Sequence, residues 1–248
     1  MSSFGDHIEP EFCPLGADGI LVRFSRVISD QANRLAVTMR NQIETKTIAG
    51  VVETAASLTS VFVRFRPDQT TRSDVEAALR QLIEDWANIE NETGTLRRWT
   101  IPVSFGGDNG PDLSSVASDV GIAEDAVADE VCDTSLRVLA LGFAPGQPYL
   151  GFLPDKWNIP RQSGVTAEVP AGAVVVAVRQ IIPFANPSPT GWRQIGRTAF
   201  RCFDTERLQP ILLQAGDEVQ FVPTSADQLQ SLETAPDGLG GAICEIVS

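Results

Sequence analysis

Arg197 follows Gly196 directly inside an apolar stretch, Ile195-Gly196-Arg197-Thr198. A guanidinium suits a carboxylate or phosphate oxygen pair through its planar fork. The arginine stands in a glycine- and proline-rich region, Leu141 to Asp204, where these residues alternate with short β-branched runs. Glycines of this kind mark turns at positive φ or the close approach of another group. Two readings are open: a β-rich core with tight turns, and a site built from loops on a barrel.

Other reactive residue types are scarce. Four cysteines stand at positions 13, 132, 202 and 244, with no C-x-x-C pair, and the one histidine is His7. A structural zinc site of Cys/His type is not expected. A Ser–His or Cys–His catalytic pair is not expected either, because the imidazole lies outside any recognisable core.

The 248 residues suit one large domain or two small ones and can bury a substantial core. A net charge of −13 and a pI near 4.5 argue against nucleic acid or an anionic membrane as main partner. No apolar run approaches the ~18 residues of a spanning helix. The N-terminus lacks the basic and apolar regions of a signal peptide. The expectation is a cytoplasmic chain with free thiols.

The elements that would carry a site follow in order. Residues 19–25 form an apolar run of strand length. Ser29 and Asp30 can cap a helix whose Ala32, Leu35, Ala36, Met39 and Ile43 share one face. Val51–Ala55 and Ser60–Arg66 read as strands, with Val61, Val63 and Phe65 facing one way. Ser73-Asp74-Val75-Glu76 reads as a capping box before an apolar stripe of Val75, Ala78, Leu79, Leu82, Ile83 and Trp86. This is a compact α+β pattern. The polar run Asn88–Leu96 reads as a linker.

Beyond it, Arg97–Phe105 reads as a strand, Asp112 as the cap of a helix to Val120, and Ala123–Cys132 as a second helix. Leu136–Leu141 and Ala173–Val178 read as strands, and Gly196-Arg197-Thr198 as a turn or bulge. Pro210–Leu213 and Val219–Val222 read as a hairpin around Ala215-Gly216-Asp217, and the C-terminal GLGGAICEIVS as one edge strand. Many short strands separated by turns suggest a small barrel or sandwich.

Several of these words occur together and in order. Gly142-Phe143-Ala144-Pro145-Gly146, Tyr149-Leu150-Gly151, Pro160-Arg161, Val169-Pro170-Ala171-Gly172, Gln180, Ser188-Pro189, Gly191-Trp192, Ile195-Gly196-Arg197-Thr198 and Phe203-Asp204 resemble the allophanate hydrolase subunit 1 family. That family includes the B subunit of 5-oxoprolinase, Kip-type inhibitors of a histidine kinase, and half of the carboxyltransferase region of urea carboxylase. The resemblance covers nearly the whole chain. It implies an α+β fold, with a small N-terminal α+β domain over residues 1–92 and a cyclophilin-like β-barrel over 93–248.

The resemblance also implies a partner, a subunit-2/C-type barrel protein, with substrate in a groove shared between the two. In the 5-oxoprolinase assembly a lactam-utilisation subunit joins, and ATP (with Mg) drives opening of the 5-oxoproline lactam to glutamate. On this reading the chain is a hydrolase subunit active only with its partner, and it holds no cofactor or metal when alone. The substrate-binding candidates are Arg161, Gln180, Ser188, Trp192, Arg197 and Tyr149. No catalytic residue is assigned. For the two arginines the alternatives are an exposed loop residue at Arg161 and a structural role at Arg197, bonding carbonyls or Asp204. Trp192 is either a groove wall or a plug of the barrel end. Tyr149 is the only tyrosine in the chain.

Departures from the family pattern gather near the implied groove. Val131 and Leu136 stand where a histidine and a tyrosine are common. Gln147, Phe152, Val178 and Thr190 replace a phenylalanine and three glycines. Ile181, Ile182 and Phe184 replace a more polar, flexible stretch. Three alternatives follow: a Kip-type kinase inhibitor, a degenerate paralogue kept as a scaffold, and half of a biotin-dependent carboxyltransferase. Without its partner the chain is expected to be able to pair with itself.

Overall fold

The computed structural model describes residues 9–86 and 96–247. His7 and all of the expected linker except Leu96 lie outside the described residues. The chain divides into two compact units, Met1–Gly94 and Thr95–Ser248. Among the described residues no helix is long and apolar enough to cross a membrane.

The first unit comprises β1 (Glu11–Leu15), β2 (Gly19–Arg23), α1 (Asp30–Lys46), β3 (Val51–Ser57), β4 (Ser60–Phe65) and α2 (Arg72–Trp86). The strands form an antiparallel sheet in the order β1-β2-β4-β3. Val61, Val63 and Phe65 turn inward as their alternation requires, onto Ala36, Met39 and Ile43 of α1 and Val75, Leu79 and Leu82 of α2. Leu35 is only half-buried, packed against that core. Ser29 caps α1 by accepting the Ala32 N–H at 3.2 Å.

The start of α2 differs from the expected Ser73/Glu76 box. Thr71 is the cap: its hydroxyl oxygen accepts the Asp74 N–H at 3.2 Å and donates to the Asp74 carboxylate at 2.7 Å. Thr71-Arg72-Ser73-Asp74 has the same box spacing two residues earlier. Starting there also lets Arg72 donate to the carbonyls of Gly16 and Ala17. β1 has no counterpart among the expected elements. Pro14 interrupts its pattern and is tolerated because β1 is an edge strand.

The second unit holds β5 (Leu96–Phe105), α3 (Leu113–Val120), α4 (Ala126–Asp133), β6 (Leu136–Leu141), β7 (Pro148–Gly151), β8 (Thr166–Val169) and β9 (Ala173–Ala177). It continues through β10 (Gln180–Pro183), β11 (Ser188–Thr190), β12 (Arg193–Arg197), β13 (Glu218–Pro223), α5 (Ala226–Glu233) and β14 (Ile243–Val247). Seven strands close a barrel in the order β6-β13-β5-β12-β9-β10-β7, with β7 returning onto β6. All neighbours are antiparallel except β13 and β5, which run parallel. Trp99, Ile101, Leu136, Leu150, Val174, Val176, Ile181 and Phe221 fill the core. The fold is α+β, a small α+β unit followed by a closed barrel.

Three expectations need correction. The hairpin of 210–213 with 219–222 does not form. β13 has β5 on one edge and β6 on the other, which buries Val219 and Phe221 in the core, and Ile211 makes only an isolated bridge to Phe203. Asp112 does not cap α3 with its side chain. Its carboxylate instead accepts the Gln194 N–H at 2.8 Å and ties the helix start to β12. The second helix starts at Ala126 rather than Ala123. The expected turn or bulge near Gly196 is a register shift between Gln194 and Gly196 against β9. The C-terminal strand pairs with β5 as an edge.

Asp204 organises the loop after β12. It accepts the Glu206 N–H at 3.0 Å and an Arg201 N–H at 3.2 Å, and it lies 3.7 Å from Arg207 Nε. The Glu206 N–H, and then the Arg201 and Arg207 guanidinium groups, hold its carboxyl below the ordinary aspartate value against the opposing effect of burial. A depressed folded-state pKa means stability that is present above the unfolded value of ~3.9 and lost as pH falls through the lower folded value. The urea midpoint should therefore drop on acidification below about pH 4. Asp204→Asn should remove part of that drop; an unchanged acid limb in the variant would contradict this assignment.

Candidate functional site

Strand alternation sorts the barrel wall into two faces. On β9, Val174 and Val176 point into the core, and Ala173, Val175 and Ala177 point outward. On β10, Ile181 points in and Ile182 out. The outward residues form a second cluster with Val169 of β8, Phe184 and Trp192. Tyr149 of β7 packs against this cluster half-buried. β8 and β11 pair as a separate two-stranded ribbon that contributes Val169.

The structure brings five of the six sequence candidates to this outer face. Trp192 is buried in the cluster and is not part of the barrel core, so it does not plug the barrel. The exposed Arg161 lies over its ring, with the guanidinium carbon 5.4 Å from the ring centroid. Tyr149 supplies the phenol. Gln180 shares the outward side of β10 with Ile182, opposite the small residues Ala177 and Gly151. Its side chain is nearly buried, and among the described residues its amide nitrogen has no hydrogen-bond partner. Ser188 sits half-buried on β11, opposite Val169.

Arg197 is engaged elsewhere. It ends β12 opposite Ala173 and Ser104, and its guanidinium pairs with Glu233 of α5 at 2.7 Å. Asp204, the partner considered for it, belongs to Arg201 and Arg207 instead.

Two contributors have no counterpart among the sequence candidates. Gln162 fixes the arginine segment against the tryptophan: its N–H donates to the Gly191 carbonyl at 2.7 Å and its side-chain amide to the Trp192 carbonyl at 3.2 Å. Its position after Pro160-Arg161 was the available signal. Arg179 is the second. Val178 and Arg179 form a two-residue link between β9 and β10 with φ of +45° and +66°. Such a link normally carries Asn or Gly, and neither is present to announce it. Arg179 donates to the Leu153 carbonyl, pairs with Asp155 at 2.5 Å, and stacks over Phe152.

The backbone N–H groups of this link are taken up internally, Val178 N–H by the Ile159 carbonyl and Arg179 N–H by the Trp157 carbonyl. Valine pays for the left-handed backbone while leaving much of its side chain in solvent, at 41% exposed. Val178→Gly should raise the urea unfolding free energy by about 0.5–1 kcal/mol. A loss of stability in that variant would show that the valine side chain packs against something.

The remaining departures fill space. Val131 and Leu136 are fully buried in the barrel core, Ile182 and Phe184 in the outer cluster. Gln147 is buried and accepts the Ala185 N–H at 3.4 Å. The face thus gathers an indole, a guanidinium, a phenol and a carboxamide, groups of the kind that bind a carboxylate or amide, with Trp192 and Gln180 themselves nearly covered. Among the described residues it carries no acid–base pair. Burial pushes the Cys202 thiol up to about 12 and the Cys132 thiol up to about 11, which leaves neither nucleophilic near neutral pH. Among the described residues no group of His, Cys, Asp and Glu is placed to hold a metal ion.

Fold and face together define an α+β protein with a closed barrel and a partly covered apolar outer face. The chain belongs to the carboxyltransferase domain family, subdomain C and D, whose pattern matches residues 10–213. The B subunit of 5-oxoprolinase from Escherichia coli O157:H7 is 36% identical over 173 residues, covering 70% of this chain and 78% of that protein. The corresponding B subunit from Bacillus subtilis (strain 168) is 32% identical over 225 residues, covering 85% and 91%. The crystal structure of Kluyveromyces lactis urea carboxylase superposes with a TM-score of 0.73 at 18% identity and matches 96% of this chain, which spans 24% of that one. At that identity the likeness concerns the fold.

Proposed function

We propose that this chain is one subunit of an ATP-dependent amide- or lactam-opening hydrolase of the 5-oxoprolinase type, sharing a groove with a subunit-2/C-type barrel protein. The observation that carries the reading is the similarity to the B subunits of 5-oxoprolinases over most of both chains, with an outer face that gathers Arg161, Trp192, Tyr149 and Gln180. A lactam carbonyl is inert, and transfer of a phosphoryl group to its oxygen makes the carbon electrophilic. Water then adds to that carbon, the ring C–N bond breaks with protonation of nitrogen to leave an acyl phosphate, and a second water hydrolyses it to the carboxylate and inorganic phosphate.

This chain's part is to bind and orient. Arg161 meets a carboxylate, Trp192 and Tyr149 wall the ring, and Gln180 bonds the amide. On this reading ATP and Mg act in the assembled complex, and no step through them is routed over this chain's residues; Arg197 is paired with Glu233.

Arg161→Ala in the assembled enzyme should raise KM for 5-oxoproline at least about tenfold, the loss of one charge-assisted hydrogen bond, while leaving assembly intact. Unaltered kinetics would remove Arg161 from the site. A second reading, a scaffold subunit that has lost catalysis, is favoured by the burial of Val131 and Leu136 in the core. It predicts assembly with no turnover.

A further inference from the structure

β14 is bonded to β5 along one edge, in unbroken register from Ile243↔Thr100 to Val247↔Leu96. Among the described residues no strand pairs with its other edge. Free edges are ordinarily blunted by lysine, proline, a bulge or a covering loop. β14, Ile-Cys-Glu-Ile-Val, has neither a lysine nor a proline, and its ladder has no bulge. Ile243 is 60% exposed and Ile246 72%. The register puts Cys244 and Ile246 on the face of Trp99 and Arg97, and Ile243, Glu245 and Val247 on the face of Thr100, Arg98 and Leu96. Apolar side chains are thus presented on both faces beside a row of backbone donors and acceptors.

The charge on this edge selects the occupant. Glu245 forms no ion pair among the described residues, and Arg98, across from it on β5, is held by Glu218 at 3.1 Å. A second copy paired antiparallel, with Ile243 opposite Val247, would set Glu245 against Glu245, in a chain whose net charge is already −13. A strand with a lysine or arginine opposite Glu245 and β-branched residues two places to either side meets every feature of the edge.

We propose that β14 is a docking edge for an extended, basic-centred segment of a partner protein, which adds to the sheet as a further antiparallel strand. This does not depend on the hydrolase reading. The test uses the full chain and a fluorescent peptide, acetyl-Thr-Val-Thr-Lys-Thr-Val-Thr-amide, read by anisotropy. Saturable binding is expected, at least tenfold weaker when glutamate replaces the central lysine. Glu245→Lys, an exposed substitution, should reverse that preference, and N-methylation of the peptide backbone should abolish binding. No binding, binding indifferent to central charge or to N-methylation, or a dimer of the chain that occupies β14 and excludes the peptide would each overturn the proposal.

Discussion

Gly172→Ala should cost the barrel at least about 3 kcal/mol in urea unfolding, or leave the chain insoluble. Gly172 has φ of +78°, and a Cβ there would overlap the carbonyl oxygen of Thr198. The clash cannot relax easily. Gly172 donates its N–H to the Phe184 carbonyl at 2.8 Å, and its own carbonyl accepts the Thr198 N–H at 2.9 Å. The turn is held from both sides at the entry to β9, the strand that carries both barrel faces. Gly121→Ala is the control: φ is +76° with nothing within 4 Å of the added carbon. It should cost only the left-handed backbone, about 1 kcal/mol. Equal losses at the two sites would mean that the overlap at Gly172 is absorbed.

Asp217→Ala should cost about 3 kcal/mol in the same measurement. The carboxylate is buried where the turn before β13 meets β5. It accepts the Trp99 indole N–H at 3.1 Å and the Gln214 N–H at 2.8 Å, and it lies 3.3 Å from Arg97. Alanine leaves the Trp99 and Gln214 N–H groups without this acceptor, while Arg97 keeps the Leu212 carbonyl at 2.6 Å. Burial pushes the Asp217 carboxyl above its ordinary value, against the pull of the Gln214 N–H, Arg97 and Trp99. The acceptor geometry therefore matters more than the charge, and Asp217→Asn should lose less than alanine does. An asparagine variant as unstable as the alanine one would reverse that order.

The parts of the fold legible in the sequence were those governed by local rules. Ser29 before an apolar stripe marked α1, and the alternation of Val61, Val63 and Phe65 marked β4. Where partners are distant, local reading fails. Residues 210–213 precede a good turn and an apolar strand, but both edges of β13 are taken by β5 and β6. α5 escaped because only Leu229 is buried on it, although Ser225 and Gln228 spell its capping box.

The site was legible in its words but not in its sides. AVVVA and QIIP are buried on both faces, so neither run alternates in polarity. Nothing local says that Ile181 faces the core and Ile182 the outer cluster. Arg197 shared a motif with the glycine that shapes β12, yet its partner, Glu233, lies on a helix that local reading did not find.

The central claim is that this chain completes an ATP-dependent lactam-opening enzyme. The direct measurement is glutamate released from 5-oxoproline by the chain co-expressed and purified with a subunit-2/C-type protein and a lactam-utilisation subunit. Release that needs ATP and stops when this chain is omitted is the predicted result. A stable, verified complex that releases no glutamate with ATP present would contradict the claim.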